Sequence, residues 1–150
     1  LVICGSSPVA VALARLAAMM AYAVTAVAPQ PEQGAFEAAD ERIEGYALPV
    51  SETAHRFVVV STQGKGDEAA LRAILDIDAD YKAFVGSRRK MASIREKLVA
   101  GGASEEAFDL IKAPAGLDIG AISPEEIALS IMAEVTALRR QKIRAKQEGN

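Results

Sequence analysis

The sequence predicts an α/β domain of the Rossmann-like, doubly wound kind, a parallel sheet between helices in three layers and one domain. Three observations carry this expectation. Apolar runs at residues 1–4, 23–27, 57–60 and 81–85 alternate with stretches of helical period. The turn Gly5-Ser6-Ser7-Pro8 joins the first run to the first helical stretch. A chain of 150 residues fits a single domain that buries roughly two-thirds of its unfolded surface.

Residues 1–4 read as a buried strand. Pro8 suits a first helical position, because its missing N–H would have no intrahelical partner there, and Ser7 is then the N-cap. Val9, Leu13, Leu16, Ala17 and Met20 recur at helical spacing. A second strand over 23–27 ends at Pro29 and Pro31, followed by an expected short helix over 33–39 and a weaker segment over 43–48. Parallel pairing requires such crossovers, which are right-handed in nearly all sheets.

Phe57-Val58-Val59-Val60 has the unbroken apolar character of a central parallel strand covered on both faces. A helix over 67–75, capped by Asp67, leads to a strand over 81–85. A further helix over 88–99 places Met91, Ile94 and Leu98 on one face and stops at Gly101-Gly102. Ser104 opens a short helix, and a last short strand is expected near Ile111. Ser123-Pro124-Glu125-Glu126 combines an N-cap serine, proline at N1 and glutamate at N3, the capping-box pattern, ahead of Ile127, Ile131, Val135 and Leu138. No repeat or linker divides the chain.

Hydrophobic residues make up 51% and charged residues 25% of the chain. Charges interrupt the apolar stretches, so a soluble globular domain without a transmembrane helix is expected. Seventeen basic against twenty acidic side chains leave a net charge of −3, which lacks the phosphate-neutralising surface of a nucleic-acid binder. The opening run is too short for a signal-peptide core and has no basic residues ahead of it, so a cytoplasmic location is expected. The missing initiator methionine is compatible with a domain upstream.

Cys4, alone, excludes an intramolecular disulfide and a multi-cysteine zinc site, and reads as an inert core thiol. His55 is the single histidine and reads as a surface residue rather than a catalyst or metal ligand. Arg139, Arg140, Lys142, Arg144 and Lys146 crowd a helix end where cations favour the dipole, a solvated tail. No catalytic or metal-ligating set is expected.

Ligands of doubly wound sheets bind beyond the carboxyl ends of the strands. Three loops lie on that edge. Gly5, Ser6 and Ser7 stand where a dinucleotide fold carries G-x-G-x-x-G, but only the first glycine is present, Pro8 removes a donor, and Ala28-Pro29-Gln30 offers no acid for a ribose. This turn is either an anion cradle or a tight βα connection. Gln63 and Gly64, with Lys65, Gly66 and Asp67, either wrap a ligand or form a mobile connection. Gly86, Ser87, Arg88, Arg89 and Lys90 put three cations at a helix N-terminus, against the macrodipole unless an anion sits there. The alternative is that they turn to solvent or pair with Asp118 or Glu126.

Read together, these loops resemble the Rossmann domain of the XdhC/CoxI accessory proteins. The carriers are Gly5-Ser6-Ser7-Pro8-Val9-Ala10, Thr62-Gln63-Gly64-Lys65-Gly66-Asp67-Glu68, Phe84-Val85-Gly86-Ser87-Arg88-Arg89-Lys90, and above all Ala113-Pro114-Ala115-Gly116-Leu117-Asp118-Ile119-Gly120 with Ser123-Pro124-Glu125-Glu126-Ile127-Ala128. The resemblance covers nearly the whole chain. It implies a non-catalytic, chaperone-like accessory factor for maturation of a molybdenum-cofactor hydroxylase of the xanthine or carbon monoxide dehydrogenase type. It also implies the molybdenum cofactor (molybdopterin), a phosphate-bearing pterin, as ligand, that hydroxylase as client, and a cysteine desulfurase as a further partner. Gly116 and Asp118 join the expected ligand site on this ground. Many such relatives carry a separate N-terminal domain. An NAD(P)-dependent oxidoreductase and a ligand-free scaffold forming a homo-oligomer through its helices are the competing classes.

Overall fold

The computed structural model describes residues 1–31, 34–48 and 55–149. In chain order its elements are β1 (Val2–Cys4), α1 (Pro8–Met19), β2 (Thr25–Ala28), β3 (Glu41–Glu44), β4 (Phe57–Val60), α2 (Asp67–Ile74), β5 (Tyr81–Phe84), α3 (Arg88–Ala100), α4 (Glu105–Asp109), β6 (Ile111–Lys112) and α5 (Pro124–Glu148). The strands pair in parallel in the order β3-β2-β1-β4-β5-β6. That order winds outward in both directions from β1 and β4, as a doubly wound Rossmann sheet requires.

Side-chain alternation divides the four central strands, β1, β2, β4 and β5, between two cores. Ile3, Ala26, Phe57, Val59, Tyr81 and Ala83 share one core with Leu13 and Ala17 of α1 and Ile131, Met132 and Val135 of α5. Val2, Cys4, Val27, Val58, Val60 and Phe84 share the other with Leu71, Ile74, Met91, Ile94, Leu98 and Phe108 of α2, α3 and α4. Helices therefore cover both faces, giving the three layers expected. Val58, Val59 and Val60 are wholly buried, each contributing about 2 kcal/mol of transfer free energy. Burial also pushes the Cys4 thiol up to about 12, so this cysteine is the unreactive core residue expected.

The cap chemistry orients the helices. Ser7 Oγ accepts from Ala10 N–H at 3.1 Å with Pro8 in the first turn. Ser123 and Glu126 form the full capping box at the start of α5. Two expectations are corrected. Residues 34–38 are a turn rather than a helix, and Gln33 lies outside the described residues. The N-cap of α2 is Gly66, at φ 88°, and not Asp67. The left-handed turn at Gly66 carries Asp67 into the helix, where its buried carboxylate takes a bond from Thr62 Oγ1 and a salt bridge from Lys90.

At the opposite edge of the sheet His55 Nδ1 lies 2.9 Å from Asp80 Oδ2, and Lys142 Nζ bonds Asp80 Oδ1. His55 thus has a carboxylate partner that its place in the sequence did not announce. Burial alone would raise the Asp80 pKa, but the bonds and charges of Lys142 and His55 outweigh it and hold the carboxyl below its ordinary 3.8. A depressed native pKa contributes stability that is present above the unfolded value and lost as pH falls through the native one. Asp80→Asn is therefore expected to lower the melting temperature at neutral pH and to flatten its decline below about pH 4, read by thermal unfolding across pH. No helix among the described residues is long and apolar enough to cross a membrane.

Candidate functional site

A cavity of about 730 Å³ opens at the carboxyl edge of β5 and β6. One wall is Val85, Gly86, Ser87 and Arg88, and the other is the loop over residues 112–121, backed by Ile127 and Ser130 of α5. Each wall is built from its sequence. Ser87, at φ −66° and ψ 157°, starts α3 and accepts from Lys90 N–H at 3.1 Å. The first-turn amides of Arg88 and Arg89 have no intrahelical acceptor and face outward with the positive end of the dipole. Neither guanidinium makes an ion pair among the described residues.

The second wall is fixed by three successive amides. Ala115 N–H donates to Phe84 O at 2.9 Å, Gly116 N–H to Glu134 Oε2 at 3.0 Å, and Leu117 N–H to Ser130 O at 3.1 Å. Glu134, buried in α5, also accepts from the Tyr81 hydroxyl and from Lys112 Nζ, while Lys112 Nζ donates to Gly116 O at 2.8 Å. Burial first, and then the Glu134 carboxylate, pushes the Tyr81 phenol well above its ordinary pKa. It stays a donor at any physiological pH. Gly116 sits at φ 90°, where a Cβ would overlap Ser130 Oγ and lie 3.0 Å from Ile131 N. Only glycine lets the loop lie so close to α5.

Of the residues singled out from sequence, Gly86, Ser87, Arg88, Gly116 and Asp118 converge on this cavity. Gly5, Ser6, Ser7, Gln63, Gly64, Arg89 and Lys90 do not line it. Lys90 reaches across to Asp67 Oδ2 at 2.6 Å, so neither Asp118 nor Glu126 takes its charge. Glu126 instead accepts from Ile122 and Ser123 N–H at 2.8 and 3.0 Å. In the first turn, Gly5 N–H donates to Val27 O at 2.8 Å, Ser7 N–H to Ser61 O at 3.4 Å, and Ser7 Oγ meets Ser61 Oγ at 2.6 Å. These bonds tie the β1 turn to β2 through Val27 and to the end of β4 through Ser61. No group of three or more His, Cys, Asp and Glu among the described residues is placed to hold a metal.

The residues that sequence reasoning missed are Tyr81, Lys112 and Glu134. A glutamate on the apolar face of α5, between Ile131 and Leu138, is the one signal that could have found them.

Three comparisons place the chain among known proteins. It is 32% identical over 83 residues to the uncharacterized protein YqeB of Escherichia coli (strain K12), a match over 55% of this chain and 15% of YqeB. Its fold is that of a Bacillus halodurans protein whose crystal structure is described as a xanthine dehydrogenase, with a TM-score of 0.80 and 24% identity over 97% of this chain and 45% of that one. The chain thus spans less than half the length of either protein. Over residues 1–135 it matches the family model of the XdhC Rossmann domain, and it belongs to that family.

Proposed function

We propose that this domain is an accessory factor in the maturation of a molybdenum-cofactor hydroxylase, and that it holds a phosphate-bearing pterin or nucleotide in the cavity at the β5 and β6 edge. The carrying observation is the meeting of Arg88, at the start of α3 and in no ion pair among the described residues, with a preformed polar loop across a cavity of about 730 Å³. A phosphate there takes the Arg88 and Arg89 amides, the positive end of α3 and the Arg88 guanidinium together. It also removes the conflict between the two remaining cations, Arg88 and Arg89, and the helix dipole. Asp118 and the backbone of the 112–121 loop then face the ligand's polar ring, with Leu117 and Ile119, 44% and 53% exposed, as apolar surface beside it. A molybdenum-bearing pterin would bring its own redox chemistry to the client enzyme, and this chain's residues would bind and present it. Membership of the XdhC family supports the maturation role.

The Gly5 turn serves the fold in this reading. Two of its amides are already spent inside the protein, Pro8 has none to give, and β2 ends in Ala28 ahead of Pro29 and Gln30 rather than in an acid. Calorimetric titration with molybdopterin, NADP, NAD, ATP and CTP tests the proposal. The pterin phosphate is expected to bind, and Arg88→Ala with Arg89→Ala to weaken it by at least about tenfold, on the order of 1.4 kcal/mol. Binding of NAD or NADP without the pterin would transfer the site to a redox enzyme, and unchanged affinity in the double variant would remove the basic cluster from it.

A further inference from the structure

A second cavity, of about 540 Å³, is a groove between α1 and α5 on the outer face of that helical layer. Pro8, Ala12 and Ala128 keep its floor low, and Leu16, Met19 and Leu129 make its walls apolar. Met19 and Leu129 are 84% and 53% exposed. Large aliphatic side chains bared together on neighbouring helices mark a surface that another body covers.

We propose that the covering body is a second copy of this chain, packed groove to groove about a twofold axis. The argument is charge. Two ionisable groups line the groove, Arg15 of α1 and Glu125 of α5. Both are exposed, and neither makes an ion pair among the described residues. A twofold contact repeats each pairing, so Arg15 of one copy meets Glu125 of the other twice over. The small residues on the floor let the two helix pairs approach closely while the aliphatic walls interdigitate. A partner of single-signed charge would satisfy only one of the two. Pro8 and Pro124 start their helices at the carboxyl edge of the sheet, so the two ligand edges of such a dimer lie at the interface rim.

Sedimentation equilibrium of the 150-residue chain tests this independently of any ligand. The wild type is expected at twice the 15.8 kDa chain mass in the micromolar range. Arg15→Glu and Glu125→Arg, each alone, place like charges opposite one another and are expected to weaken the dimer by at least about tenfold. Mixing the two single variants restores both pairings, so a mixed dimer is expected, and the double variant R15E/E125R is expected to dimerise with itself. Circular dichroism confirms that these surface variants fold. A monomeric wild type at about 100 μM would overturn the proposal and leave the groove to a different partner. Dimers insensitive to either single variant, or a mixture that fails to associate, would also overturn it. Failure of pterin binding leaves this result untouched.

Discussion

Replacing Gly5 with alanine is expected to destabilise the domain severely. Gly5 sits at φ 118°, and a Cβ there would overlap the Ser61 carbonyl oxygen and lie 2.6 Å from Ser61 C and 2.9 Å from Thr62 Cα. All of these are backbone atoms. They are held by the central β1 and β4 pairing, where Ser61 N–H donates to Cys4 O at 2.8 Å. Relief of the clash requires parting the two strands from which the sheet winds. The cost is expected to be about 4 kcal/mol or more, a large share of the roughly 5–15 kcal/mol that stabilises a domain. Gly45→Ala is the control. Gly45 has φ 88° but nothing within 4 Å of a Cβ, so it carries only the left-handed backbone penalty of about 1 kcal/mol. Chemical denaturation of both variants reads the difference, and equal losses would contradict the close approach at Gly5.

Glu134→Ala is expected to cost about 3 kcal/mol or more, and to loosen the cavity wall with it. The substitution strips the Tyr81 hydroxyl, the Gly116 N–H and the Lys112 ammonium of one shared acceptor. Tyr81 is 6% exposed, so its hydroxyl cannot turn to water, and an orphaned buried donor carries its full desolvation cost. Glu134→Gln keeps one oxygen for Tyr81 and Gly116 and presents its amide to Lys112, whose half-exposed side chain can swing outward. Its loss is expected near 1–2 kcal/mol. Amide hydrogen exchange at Ala115, Gly116 and Leu117 is expected to speed up in Glu134→Ala well before the strands themselves exchange. Protection of those three amides equal to the wild type would show that Glu134 does not hold the loop.

The parts of the fold legible in sequence were those written in local chemistry. Ser7 with Pro8, and Ser123 with Glu126, mark helix starts through bonds closed within one turn. The uninterrupted Phe57–Val60 run declares a strand buried on both faces. The site was less legible, because what decides it lies far apart in the chain. The Ser7 to Ser61 contact spans 54 positions, and no local pattern announces that the glycine-serine turn is bonded to the end of β4. The Lys90 to Asp67 bridge removes one of three cations from the expected cluster, and no spacing rule joins them. The 34–38 turn in place of a helix reflects a segment with too little apolar period to resist tertiary context.

Backbone amide resonances of the isotope-labelled chain, titrated with molybdopterin, test most directly where the ligand sits. The expected result is saturable shifts concentrated in Gly86, Ser87, Arg88 and Arg89 and in Ala115 to Asp118, the two walls of the cavity. Shifts concentrated instead in Gly5 to Ala10, with those walls unmoved, would return the site to the β1 turn and contradict the account.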